Sequence, residues 1–202
     1  MSEERKEELE EISFEAPDPL GARAEELRHV GWAIDASVRY HERRQAFYER
    51  TDSLVNALNL IIGSGAVLAI IQSAPSWVVV VSSATVAILS LINLTMRSSA
   101  MASLHAQLKQ RYIGVLIRLE KLEGPKVSEE SFRKELRRLR EARLLIEVEE
   151  PTIFRVVHVL AHNELLMAQG YDNSHMWHVP WYKALSANWI RWDTSKLAKR
   201  SK

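Results

Sequence analysis

From Ser53 to Met96 the chain carries no Asp, Glu, Lys, Arg or His, an uncharged run of 44 residues. A helix rises 1.5 Å per residue, so about 20 residues cross the roughly 30 Å hydrocarbon layer of a bilayer. The run is divided by Ala74-Pro75-Ser76, and Pro75 cannot continue a helix. Two spans of bilayer length are therefore predicted, at about 54–73 and 77–96, joined as a tight hairpin. A water-soluble chain of 202 residues rarely hides so long an uncharged stretch, because most of its helices must show a polar face to water.

The two halves differ in strength. Leu54 to Ser73 holds ten Leu, Ile or Val residues but also Asn56, Asn59, Gly63, Gly65 and Gln72. Each large aliphatic residue contributes only about −0.3 to −0.6 kcal/mol to insertion, so these polar groups offset much of the gain. The second half, with Val78 to Val81, Val86, Ile88, Leu89, Leu91, Ile92 and Leu94, is the stronger span. Asn56, Asn59 and Gly63 lie close to one face of the first span, and Ser83, Ala87 and Ser90 lie on one face of the second. Polar groups in hydrocarbon seek partners across a helix interface or line water. The six residues are thus candidates either for packing the hairpin or for lining an aqueous path, and two helices enclose a path only in a homo-oligomer.

Arg39, Arg43, Arg44 and Arg50 precede the first span, and Arg97, Lys109 and Arg111 follow the second, while the turn between is uncharged. The positive-inside rule then predicts a multi-pass protein of a cell membrane with both termini cytoplasmic. Arg50, Trp77 and Arg97 are the expected interface residues. The acidic start, with Glu3, Glu4, Glu7, Glu8, Glu10 and Glu11, reads as a flexible leader over 1–19 and lacks the basic n-region of a secretory signal. There is no cysteine, which removes disulfides and thiolate metal sites.

Outside the hairpin the periodicity predicts an all-α cytoplasmic bundle. Leu27, Val30, Ile34 and Val38 mark a helix over 21–50 that runs into the first span. Met101, Leu104, Leu108, Tyr112, Val115 and Leu119 mark a second over 97–123, stopped by Gly124-Pro125. A third over 128–150, with Ser128 as N-cap, carries Phe132, Leu136, Leu139 and Ile146 amid dense charge. A fourth over 152–169 ends at Gly170. The tail over 171–202 is rich in Trp and basic residues. Trp181, Leu185, Trp189 and Trp192 fall on one face if it is helical, which suits either a helix lying on the inner leaflet or one docked on the bundle.

Signals for chemistry are sparse. His158 and His162 stand four apart on a helix, as zinc ligands do, but no HExxH, cysteine or carboxylate at a fixed spacing accompanies them. Packing histidines are the simpler reading, and neither a metal nor any other cofactor is expected. Gly63-Ser64-Gly65 lies in mid-span without the lysine a phosphate loop needs. Basic residues are interleaved with acids, net charge is +1, and nucleic acid is not an expected partner. No catalytic constellation can be read, and an enzyme is not expected.

The stretch WAIDASVRYHERRQAFY at 32–48, the hairpin after it, the long following helix, and Pro151 followed by LAHNELLMAQG at 160–170 together resemble the SLATT family, two-transmembrane effector modules of prokaryotic conflict systems. The resemblance covers about residues 20–170. It implies an inner-membrane effector that oligomerises and permeabilises the membrane in antiviral defence, responding to a sensor or nucleotide-signalling partner, and it brings no catalytic residues. A non-conducting membrane anchor or scaffold recruiting cytosolic partners is the alternative.

Overall fold

The computed structural model describes residues 19–63, 76–122 and 127–200. Six α-helices order the described residues: α1 (Pro19–Gly63), α2 (Ser76–Met96), α3 (Ser98–Glu120), α4 (Glu129–Glu149), α5 (Arg155–Ala168) and the short α6 (Trp181–Leu185). A 3-10 turn, Asn173–His175, lies between α5 and α6. No β-strand occurs among the described residues, and an isolated antiparallel bridge joins Trp177 to Lys199. The chain is an all-helical bundle. The acidic leader, the second half of the first predicted span, the turn at Pro75, the stop at Gly124-Pro125 and the last two residues lie outside the described residues.

The long α1 organises everything else. Leu27, Val30 and Ile34 face Leu108, Tyr112, Val115 and Leu119 of α3 and Phe132, Leu136, Leu139 and Ile146 of α4, forming the main core at the end of the bundle remote from α2. Gly31 permits the close approach, since a Cβ there would meet Leu119 Cδ2 at 3.3 Å. Ser128 caps α4, its hydroxyl accepting from Ser131 N at 3.3 Å. Gly170, at φ +78°, closes α5 with Tyr171 N bonding back to Leu166 O at 3.0 Å, a left-handed helix stop. Exposed ion pairs join the helices around the rim, including Arg140 with Glu26 at 2.6 Å and Arg118 with Glu135 at 2.6 Å. Pairs of this kind add at most about 1 kcal/mol each, so the apolar core decides the packing.

Beyond the bundle, α1 runs on past Arg50 and packs against α2. Among the described residues one helix is long and apolar enough to cross a membrane, and none of its apolar window is buried within the molecule. Leu91 and Leu94 of α2 are 63% and 75% exposed, and Leu60 of α1 is 75% exposed. In water such a surface would cost about 25 cal/mol per Å². At Arg97, φ +50° puts a non-glycine residue in the left-handed region, breaking α2 from α3 and letting α3 turn to follow α1 back into the bundle.

The tail departs from the single amphipathic helix that its tryptophan spacing suggested. Helix α6 stops at Leu185, so Trp189 and Trp192 do not share a helical face with Trp181. The physical reason is local hydrogen bonding. Trp192 Nε1 donates to Ser186 Oγ at 2.9 Å, and Asp193 accepts from Ser195 N at 3.0 Å, which bends the chain where a helix would continue. The segment docks on the bundle instead. Ala187 and Met176 are buried, and Asn163 of α5 bonds to both N and O of Trp177 at 2.9 and 2.8 Å. Trp192 is folded in against the Tyr40, Val156, Val157 and Ala161 cluster, while Trp181 and Trp189 stay 77% and 56% exposed.

Candidate functional site

Two polar arrangements stand out from the apolar packing, one buried in the bundle and one along the contact between α1 and α2. The buried one lies where α1, α3 and the end of α4 meet. His41 and His105 are fully buried, and their Nδ1 atoms are 2.8 Å apart. His41 Nε2 lies 3.0 Å from Glu150 Oε1, which also accepts from Tyr112 OH at 2.5 Å. An Nδ1–Nδ1 hydrogen bond needs one donor and one acceptor. A neutral His41 that donates Nε2–H to Glu150 accepts at Nδ1 from His105 Nδ1–H, whereas a protonated His41 keeps that bond and donates Nδ1–H to His105 Nδ1.

Burial, reinforced by the nearby His41 and Arg44, pushes the His105 imidazole down to about 3, so it is neutral at physiological pH. Burial pushes the Glu150 carboxyl up, but the hydrogen bonds from His41 and Tyr112 outweigh it and hold Glu150 below its ordinary value. Burial and the bond to Glu150 raise the Tyr112 hydroxyl, keeping it a donor. The result is a short buried chain, His105 to His41 to Glu150 to Tyr112, that ties three helices together by directional bonds. On its outer side a cleft of about 610 Å³ opens, lined by Trp32, Tyr40, Tyr112, Glu150, His158 and His162 among others. Burial lowers both His158 and His162, and no group of three or more His, Asp or Glu among the described residues is arranged to hold a metal.

One helical turn further along α1, Arg44 is 2% exposed and has no carboxylate partner among the described residues. Its Nη1 donates to Asn188 O and Oδ1 at 3.0 and 2.9 Å and its Nη2 to Tyr48 OH at 2.6 Å, while the guanidinium lies 4.2 Å from the Phe154 ring centroid. Arg44 thereby pins the tail to α1. Arg44→Ala is expected to cost about 1 to 2 kcal/mol through the lost charged hydrogen bonds and cation–π contact. Limited trypsin digestion checks it: cleavage at Lys183 and Arg191 should accelerate well before the bundle melts, and an unchanged digestion rate would mean that other contacts hold the tail.

The second arrangement contains several of the residues singled out from the sequence. Asn59 Nδ2 of α1 donates to Ser90 Oγ of α2 at 3.2 Å. Asn56 instead bonds back along its own helix to Asp52 Oδ2 at 3.2 Å, and Asp52 Oδ1 accepts from Asn93 Nδ2 at 3.2 Å. Asp52 and Asn93 therefore complete a polar seam that the two candidate triplets did not include. Gly63 is the last residue of α1, and Ser83 and Ala87 are exposed on α2. Arg50, Trp77 and Arg97 are exposed, with Asp52 and Arg97 the first charges met on leaving the uncharged run.

His41, Arg44 and His105 escaped sequence reasoning because they are polar residues in apolar register. Position 41 continues the spacing of Leu27, Val30, Ile34 and Val38, and position 105 sits between Met101 and Leu108. That register was the available signal. Compared with known proteins, the chain matches no family model and shows no significant similarity to a curated protein or a solved structure.

Proposed function

We propose that this chain is a two-span membrane effector of prokaryotic antiviral defence, whose helical bundle lies in the cytoplasm and controls association of the hairpins into a membrane-permeabilising oligomer. The observation that carries the reading is the exposed apolar surface of α1 and α2, with Leu60, Leu91 and Leu94 outward, on two helices joined by the Asn59–Ser90 and Asp52–Asn93 bonds. Two limbs packed through Asp52, Asn59, Ser90 and Asn93, with leucines outside, suit lipid and not water. The resemblance to SLATT modules supports the same conclusion. Exposed Trp181 and Trp189, the latter in edge contact with Phe47 at 5.1 Å, lie on the inner-leaflet side. A sensor or nucleotide-signalling partner supplies the trigger, and no enzymatic step is involved.

The rival reading, a non-conducting anchor that recruits partners, is favoured by one feature. Leu144, Leu145 and Val148 of α4 are 58%, 66% and 83% exposed, an apolar strip on a helix far from the hairpin. Membrane potential separates the two. Induced expression in bacteria should depolarise cells, and deletion of the hairpin should abolish it. Asn59→Leu removes the bond to Ser90 and is expected to reduce depolarisation at equal membrane insertion. Intact potential with confirmed insertion, with and without co-expressed sensor candidates, would favour the anchor.

A further inference from the structure

The polar seam opens to the outside as a groove of about 610 Å³, bounded by Asp52, Asn59, Ser90 and Asn93 of the hairpin and by Arg97 to Ala100 and Ser103 at the start of α3. Three atoms of its lining residues are buried without a hydrogen-bond partner among the described residues: Asn59 Oδ1, Asn93 Oδ1 and Ser98 Oγ. Ser98 is itself only 1% exposed. A buried polar atom left unpaired costs about 1 to 3 kcal/mol, and three at one groove indicate that something else completes them.

The groove has two chemically distinct ends. At one, the Asp52 carboxylate and the two amide oxygens of Asn59 and Asn93 present acceptors, matching a primary ammonium with its three N–H donors. At the other, α3 begins after the left-handed break. Arg97 N bonds back to Asn93 O at 3.0 Å, and the next helical bond is Met101 N to Arg97 O at 2.9 Å. The amides of Ser98, Ser99 and Ala100 thus open a helix of 23 residues beside the Arg97 guanidinium and the Ser98 hydroxyl. A helix start of this kind, with a cation, takes phosphate.

We infer that this groove binds the headgroup of an aminophospholipid, its ammonium on Asp52, Asn59 and Asn93 and its phosphate at the start of α3 with Arg97 and Ser98. The inference rests on the hairpin lying in a membrane, which puts the boundary of the uncharged run, and so the groove, at headgroup depth. A choline headgroup has no N–H to donate, and a glycerol headgroup has no cation. Both should therefore bind more weakly than ethanolamine. Headgroup occupancy would tie the hairpin to the start of α3, the helix that carries His105.

The test uses the full chain purified in detergent, with thermal stability followed on adding dihexanoyl phosphatidylethanolamine, the corresponding phosphatidylcholine and phosphatidylglycerol, or O-phosphoethanolamine. A saturable rise in melting temperature is expected with the ethanolamine lipid, at about tenfold lower concentration than with the other two, as suits one charge-assisted hydrogen-bonded contact. Asp52→Asn should erase the preference for ethanolamine over choline. Ser98→Ala, which removes a hydroxyl with no partner and leaves the fold intact, should weaken binding of all three lipids. Equal shifts with ethanolamine and choline lipids, or an ethanolamine preference that survives both substitutions, would overturn the inference. So would O-phosphoethanolamine matching the lipid, because the occupant would then be a soluble zwitterion. Alkaline carbonate extraction of bacterial membranes is run in parallel. A chain that washes off refutes the membrane reading itself, whereas one that stays and shows no headgroup preference refutes this inference alone.

Discussion

Replacing Glu150 with alanine is expected to destabilise the bundle by about 3 to 4 kcal/mol, the range for removing one partner from a buried hydrogen-bonded charge network. The carboxylate is the common acceptor for His41 Nε2 and Tyr112 OH, and both donor residues are buried. Its loss strands two donors at once and frees the end of α4 from α1 and α3. Glu150→Gln keeps one acceptor oxygen and should fall between the variant and the wild type. The adjacent Glu149 provides the control, because it pairs with Arg111 at the exposed surface and Glu149→Ala should leave the melt unchanged. Far-UV circular dichroism melts in detergent measure all three. An alanine variant at 150 that melts with the wild type would mean that the buried chain of bonds does not hold the helices together.

Acidification should act on the same place. In the folded chain burial keeps His105 neutral down to about 3, whereas in the unfolded chain it takes a proton below its ordinary 6.5. The unfolded state therefore binds more protons in that window, and stability falls as pH drops through it. From this one imidazole the expected loss is about 2 kcal/mol at pH 5 and about 3 kcal/mol at pH 4, relative to pH 7.5. Glu150 acts in the same direction at lower pH. Its carboxyl is held below the ordinary 4.5, so its stabilisation is complete above that value and is lost as pH falls further. His105→Asn places an amide, able to donate or accept, near the position of Nδ1 and cannot titrate. Denaturant midpoints measured across this range should fall steeply for the wild type and much less for His105→Asn. Parallel slopes would show that other groups, with His158 and His162 the first candidates, dominate the acid response.

Both predictions matter for the proposed effector because the histidine chain lies on the elements that carry the hairpin. His41 is 13 positions before Leu54 on the same helix, about 20 Å at helical rise, and His105 belongs to the helix that follows the break at Arg97. A signal that loosens or tightens this junction has a rigid helix through which to reach the limbs. The cleft beside it, with Trp32, Tyr40 and His158 on its wall, provides a route for such a signal. Comparing depolarisation by the wild type and by His105→Asn at matched expression would establish whether the junction participates in control.

What the sequence by itself determined follows from short-range periodicity and from length. The stripe from Leu27 through Ile34, its partner from Leu108 through Leu119, the cap at Ser128 and the stop at Gly170 are local signals, each read within a turn or two of helix, and each has its structural counterpart. The uncharged run likewise marks α2 as apolar enough to span a bilayer. Tertiary structure alone decided which polar residues meet. His41 and His105 are 64 positions apart, Arg44 and Asn188 144 apart, and Asp52 and Asn93 41 apart. No spacing rule pairs them, because each contact depends on how α1 registers against helices that come later in the chain. The tail shows the same limit in reverse. Its tryptophans satisfy a helical spacing, yet side-chain bonds to the backbone and docking on Asn163 and Arg44 offered the chain more than a second helix could, and the fold took those contacts.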